Sequence, residues 1–409
     1  MRLFAFAGLR YTPRAGNAGN AGDIGELAAP PYDQINEAAR DRFHAASPYQ
    51  FAHLTRPVAP EGGDIYRSAA DLHARWLRDG IVARDGRPAL YPYVIELAGG
   101  GERLGVLGLA ELADPSVIRP HEQTLDKPLA DRLALLSAMR VDLEPVLLLS
   151  ADGGRLDALL HEDLAGRQPL VPLVRHRDAD GNFHVLYRLD DPDRIALYRR
   201  ALDVPAAIAD GHHRYKVAQR YAEERGIRPG TAASAKLAVV TSLDSPALAI
   251  EPIHRAFRAA IDLDRIAGLA DAAVRFSGVG GRAFAAAVGG AEQPALGIWM
   301  PPDRDPEIWH FKGGPQPAVK IFQDAILPAL GYTAAAATDG TVIYRSSPDE
   351  LWDQVAAGEL GTGIFLPPMA PAEFAAAIAH GELLPPKSTR FMPKVMSGLV
   401  WADHDSPMV

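Results

Sequence analysis

Short apolar runs bounded by glycine and proline alternate with longer segments in which apolar positions recur at helical spacing, so strands and amphipathic helices are mixed along the chain. Asp64 to Asp79 carries Tyr66, Ala69, Ala70, His73, Trp76 and Leu77 on one helical face, and Gly80 marks its end. Leu90 to Leu97 and Arg103 to Leu112 read as paired strands around Gly99-Gly100-Gly101. Helices are expected over 36–45, over 129–140 with Leu129, Leu133, Leu136 and Met139 inward, over 155–165 and over 192–202. Pro145 to Leu149, Phe183 to Leu189, Val204 to Ala209 and Lys236 to Leu243 read as buried strands. Ile250 to Arg255 is read as a strand leading into a helix, and 262–383 as alanine-rich helices with short strands at 296–300 and 341–344.

The predicted class is α+β, with mixed sheets and flanking helices. A core over 1–260 is expected, followed by an α/β region over 261–409 whose Lys387-Ser388-Thr389 loop returns to the site. At 409 residues and 48% apolar composition the chain suits a folded, multi-domain protein. A formal net charge of −9 argues against a general nucleic-acid binder. The absence of cysteine excludes thiolate metal sites, disulfides and cysteine nucleophiles. No apolar run is long enough to span a bilayer, and Met1 to Arg10 lacks the form of a signal peptide, so the expected location is the cytoplasm, with no membrane partner.

Four polar clusters carry candidate chemistry. In Asp210-Gly211-His212-His213-Arg214 a strand meets a helix; Asp is a favoured N-cap and Gly accepts a tight turn, which leaves the first helical N–H groups facing an anion. A capped turn with solvated His and Arg fits the same residues. In Arg119-Pro120-His121-Glu122-Gln123-Thr124, Glu122 is a candidate base or metal ligand and Thr124 a cap. Glu251, His254 and Arg255 form a third cluster. Pro386 to Lys394 supplies Lys387, Ser388, Thr389, Arg390 and Lys394, cations and hydroxyls suited to a phosphate. Convergence of the four in one cleft is the expectation. No dinucleotide glycine fingerprint, phosphate-binding P-loop or nucleophile elbow is present.

These segments, with Ala29-Pro30-Pro31-Tyr32-Asp33, Ser47-Pro48-Tyr49-Gln50-Phe51 and Asp131-Arg132-Leu133, resemble the DUF1015 family of bacterial and archaeal proteins over nearly the whole chain. The Asp-Gly-His-His-Arg turn also resembles phosphate-cradling strand-turn-helix units of ParB and sulfiredoxin-like proteins, some of which phosphorylate free serine. That resemblance implies a phosphoryl-transfer enzyme on a small hydroxylated metabolite, a free L-serine kinase first. A phosphoserine phosphatase and a nucleotide-binding regulator of ParB type are the alternatives. Carried onto this chain, Asp210, Glu122, His212 and His213 are the catalytic candidates, with Glu122 or Asp210 taking the hydroxyl proton. Phosphate and substrate contacts fall to His121, Thr124, Gly211, Arg214, His254, Arg255, Lys387, Ser388, Thr389 and Lys394. The implied cofactors are Mg2+ and a donor that is ATP, ADP or pyrophosphate; metal ligands and oligomeric state stay open.

Overall fold

The computed structural model describes residues 1–18, 24–122, 127–302, 304–312 and 316–409. The chain divides into two units: one formed by Met1–Pro120, 127–248 and Pro393–Val409, the other by Ala249–Met392 together with His121 and Glu122.

In the first unit the elements that position the site are, in order, β1 (Leu3–Phe4), α1 (Glu37–Ala46), α2 (Ile65–Arg78), β2 (Tyr91–Glu96), β3 (Glu102–Glu111), β4 (Ile118–Arg119), α3 (Lys127–Met139), β5 (Val146–Ser150), α4 (Arg155–Ala165), β6 (Val174–Arg177), β7 (Phe183–Leu186), α5 (Pro192–Ala201), β8 (Ala206–Asp210), α6 (His212–Glu224) and β9 (Ala235–Ser242). Nine described strands make one mixed sheet in the order β4-β8-β5-β9-β3-β2-β7-β6, with β1 added antiparallel to β3. The pairs β8/β4 and β9/β5 are parallel and the others antiparallel. Strands β2, β5 and β9 bury nearly every side chain, which is why they read as unbroken apolar runs rather than alternating ones. Helices α4 and α5 contribute Leu156, Leu160, Ile195 and Tyr198 to the core that holds Val106, Leu148, Ile208 and Val240.

Local signals set the ends of several elements. Asp64 caps α2 by accepting from the N–H groups of Tyr66 and Arg67, and Asp191 does the same for α5 with Pro192 in the first turn. The β2–β3 hairpin turns through Gly100 and Gly101, both at positive φ. Gly80 ends α2 in the same left-handed region.

The second unit is built on a six-stranded, wholly antiparallel sheet. Its elements are β10 (Ala249–Glu251), β11 (His254–Phe257), β12 (Ala270–Arg275), α7 (Gly281–Gly290), β13 (Ala295–Trp299), β14 (Glu307–Phe311), β15 (Ile343–Arg345), α8 (Pro348–Ala356), β16 (Thr362–Phe365), α9 (Pro371–Ala379) and β17 (Arg390–Met392). The order is β12-β14-β13-β16-β11-β15, and β10 pairs separately with β17. Phe284 and Val288 of α7 and Leu351 and Val355 of α8 pack with Ala256, Trp299 and Phe365. The helix expected after Ile250 is absent: His254 and Arg255 belong to β11. Pro252 breaks the strand, and four consecutive buried side chains then fit a position between two neighbouring strands better than a helix with one wet face.

Candidate functional site

Strand β8 delivers the first cluster through an irregularity. Ile208 lies opposite Leu148 and Asp210 opposite Leu147, so Ala209 is an extra residue on its strand. Strict alternation would put Asp210 on the core face with Ile208; the bulge turns it to the other. Gly211 follows at φ +89, the helix begins at His212, and the Tyr215 N–H donates to the Gly211 carbonyl at 2.9 Å. Asp210 is therefore not the cap expected from the sequence. Gly211 holds the cap position, and no side chain caps the helix. As at any helix start, the first-turn N–H groups make no hydrogen bond within the helix itself.

The Asp210 carboxylate sits between two cations. Arg214 Nη2 donates to Oδ2 at 2.6 Å and Lys394 Nζ donates to Oδ1. Burial by itself would raise this carboxyl, but Lys394 and Arg214 outweigh it and hold the pKa at about 2, so Asp210 stays ionised. Arg214 is only 6% exposed and its second arm donates to the Pro145 carbonyl. Its fork is thus spent on the protein's own oxygens. His212 and His213 lie half-buried in the first turn, and Lys216 is exposed.

Beneath this turn lie groups that sequence reasoning had not assigned. Glu144 is buried and accepts the Tyr32 N–H at 2.8 Å; burial pushes its carboxyl up, opposed by Arg214 and Arg132. Arg132 stacks on the Tyr32 ring at 4.3 Å, and burial pushes the Tyr32 phenol up to about 12. Lys236, also buried, donates to Asp142 and to the Glu144 carbonyl at 2.8 Å. A cavity of about 50 Å³ is lined by Arg132, Glu144, Arg214, Lys236 and Tyr221. A glutamate just before a proline and four apolar strand residues was the available sign, since a charge at the start of a buried strand needs a partner. Tyr32 and Asp33 carried only the family resemblance.

In the second unit, Glu122 accepts from the N–H groups of Lys387 (3.3 Å), Ser388 (2.9 Å) and Thr389 (3.3 Å), and Lys387 has the left-handed φ of +56 that lets successive N–H groups converge. Fully buried His121 meets the Thr389 hydroxyl through Nε2 at 2.7 Å. Arg255 is buried beside this loop, donates to the Lys387 carbonyl at 3.0 Å and stacks on Tyr344 at 4.6 Å; burial pulls its pKa down to about 10. His254 accepts the Leu366 N–H at Nδ1, 3.1 Å away, and burial, then Arg255, lowers it to about 4, so it is neutral. Ser388 Oγ donates to the Pro385 carbonyl. Thr124 lies outside the described residues.

The candidates therefore fall into two groups. Asp210, Gly211, His212, His213, Arg214 and Lys394 gather in the first unit, and His121, Glu122, His254, Arg255, Lys387, Ser388 and Thr389 in the second. Among the described residues no set of three or more His, Asp or Glu side chains is placed to hold a metal ion, and no helix is long and apolar enough to cross a membrane.

The sequence profile of a protein family of unknown function, DUF1015, matches residues 3–305. The chain belongs to this family. Among solved structures it is similar to a conserved hypothetical protein from Pyrococcus furiosus, at 14% identity over 74% of this chain and 94% of that chain, with a TM-score of 0.38. It is also similar to free serine kinase in complex with AMP, at 14% identity over 74% and 91%, TM-score 0.38. A C-terminally truncated SbnI from Staphylococcus aureus aligns at 13% identity over 71% and 85%, TM-score 0.34. No curated protein matches the chain.

Gly211 offers a direct test of the turn. A Cβ there would lie 2.8 Å from Val146 Cγ1 and 3.1 Å from Arg214 Cζ, at a φ that L-residues avoid. Gly226 shares the positive φ but has nothing within 4 Å of its Cβ position. Gly226→Ala should cost about 1 kcal/mol and Gly211→Ala about 2–4 kcal/mol in urea unfolding, the excess being the clash. Equal losses would mean that the turn has room for a side chain.

Proposed function

We propose that the protein is a cytoplasmic phosphoryl-transfer enzyme acting on a small hydroxylated metabolite, with free L-serine as acceptor and O-phosphoserine as product. The observation that carries this reading is the ionised Asp210 carboxylate, held between Lys394 and Arg214 at a glycine-forced turn that opens a helix. Phosphoryl transfer asks mainly for positioning and for charge on the phosphoryl oxygens. In this reading Asp210 accepts the hydrogen bond of the acceptor hydroxyl and takes its proton as the new O–P bond forms and the donor's P–O bond breaks. Lys394, His212, His213 and the N–H groups of the first turn face the phosphoryl oxygens. Arg214 holds Asp210 in place instead of binding phosphate, and Glu122, engaged by three loop N–H groups, organises the Lys387–Thr389 loop. The choice of serine follows the resemblance of the Asp-Gly-His-His-Arg turn to ParB-like kinases.

The donor in this reading is ATP, ADP or pyrophosphate. Both Asp210 oxygens are engaged by Arg214 and Lys394, so Mg2+ would be held by the donor's own phosphates, where it would neutralise phosphoryl charge. The deciding experiment offers serine and related small alcohols to the purified protein with each donor, with and without a chelator, and follows phosphoserine hydrolysis in parallel. Transfer to serine supports the proposal. Hydrolysis alone makes the protein a phosphatase, and nucleotide binding without turnover makes it a regulator.

A further inference from the structure

Residues 393–396, which carry Lys394, are fastened to the sheet on both sides of that lysine. Arg103 of β3, 2% exposed, donates to the Pro393 carbonyl at 2.7 Å, and the Met396 N–H donates to the Tyr93 hydroxyl of β2 at 3.2 Å. Tyr93 belongs to a longer chain of hydrogen bonds. Its hydroxyl meets His184 Nδ1 of β7 at 2.6 Å, and His184 Nε2 meets Asp178 Oδ2 at 3.0 Å. Asp178 in turn accepts from the Asn182 N–H and side-chain amide, each at 2.8 Å, and from the Asp180 N–H at 3.0 Å.

Sheet register makes this arrangement. Ile95 lies opposite both His184 and Arg103, while Tyr93 lies two residues from Ile95 on the same strand. Directly paired residues share a face, and so do residues two apart, so Tyr93, Arg103 and His184 all project to one side. Tyr93 and His184 are diagonal neighbours, within reach for long side chains. The hydrogen-bond directions are fixed by the partners. The Asp178 carboxylate can only accept, so Nε2 carries the imidazole proton; Nδ1 of a neutral ring then has only a lone pair and accepts the Tyr93 O–H, and the Tyr93 oxygen accepts the Met396 N–H. Burial holds the imidazole neutral, its pKa lowered to about 4, as this order requires.

We infer that Asp178, His184 and Tyr93 are positioning residues for Lys394: a one-way hydrogen-bonded chain from a loop carboxylate to the Met396 amide that keeps the lysine on Asp210. Its relevance to turnover rests on the proposed phosphate site. Its geometry does not. Away from bulk water such a chain polarises its members in one sense, so removing one hydroxyl weakens the whole. The chain also gives the buried tyrosine and histidine of the sheet, and the aspartate beside it, the partners that each needs.

The test measures acylation of individual lysines by a soluble acetylating reagent, followed by peptide mass spectrometry on the full chain. Lys216, exposed in the same unit, reports reagent access, and buried Lys236 reports general loosening. Tyr93→Phe should raise the Lys394 rate about fivefold, the order expected for one lost hydrogen bond, with Lys216 and Lys236 unchanged. Asp178→Asn, which keeps an acceptor for Nε2–H but loses the charge, should give a smaller rise in the same direction. An unchanged Lys394 rate in Tyr93→Phe, or a parallel rise at Lys236, overturns the positioning role. The expected rise in the variant, beside a parent that transfers no phosphoryl group, overturns the proposed reaction and leaves the positioning intact; a parent that transfers, with Lys394 labelling unchanged in the variant, overturns the positioning alone.

Discussion

Arg214→Ala is expected to lower stability by about 3–5 kcal/mol, the range for removing one partner of a buried ion pair. The loss has three parts. Asp210 loses one of its two hydrogen-bonded cations, the buried Glu144 loses a cation that opposes the rise in its pKa, and the Pro145 carbonyl loses its donor. Arg214→Lys keeps the charge but cannot reach Asp210 and the Pro145 carbonyl together, so it should lose about 1–3 kcal/mol. Urea unfolding of the parent and both variants reads this order. An Arg214→Ala protein within about 0.5 kcal/mol of the parent, the scatter of ordinary surface substitutions, would place the side chain in solvent and undo the account of the turn.

Asp210→Asn is expected to cost turnover more than any other single change, about 100- to 10,000-fold if Asp210 receives the acceptor proton. Activity within a factor of about two would reduce Asp210 to a structural partner of its cations. The same variant carries a pH signature that does not depend on knowing the substrate. The folded pKa of about 2 lies below the ordinary 3.8, so Asp210 contributes stability above pH 3.8, and the contribution is lost as pH falls through about 2. On the order of 2 kcal/mol should disappear between roughly pH 4 and pH 2 in the parent and not in Asp210→Asn. Glu144, raised by burial, acts in the opposite sense, but it is common to both proteins and cancels in the difference curve. Parallel acid limbs for parent and variant would show that Lys394 and Arg214 do not hold the carboxyl down.

The parts of this protein legible in its sequence are those decided by near neighbours in the chain. Helix α2, with Asp64 before it and Gly80 after it, follows from capping and helical periodicity, and the β2–β3 hairpin from its glycine turn. The strand-turn-helix of β8 and α6 was readable because an apolar run ends at Asp210-Gly211 and helical spacing resumes beyond it. The α+β class follows from the same alternation. Strand or helix after Ile250 was not decidable locally: four buried residues after a proline satisfy either pattern, and only placement between β16 and β15 selects the strand.

The site depends on contacts that no spacing encodes. Sequence supplied Asp210 and Arg214 as neighbours one helical turn apart, but the bulge at Ala209 decides which face the carboxylate takes. That bulge is a property of the pairing with β5, not of the residue itself. Lys394 reaches Asp210 across 184 positions, and Glu144 comes under Arg214 across about 70, because the sheet order places β5 beside β8 and returns the C-terminal segment to the first unit. Tyr93 and His184 meet only because β2 and β7 pair in a register that puts both on one face; a slip of one residue would send them to opposite sides. Local propensity fixes which residues can bear charge at a turn. Burial, register and the company of distant groups fix whether that charge is kept, shared or neutralised.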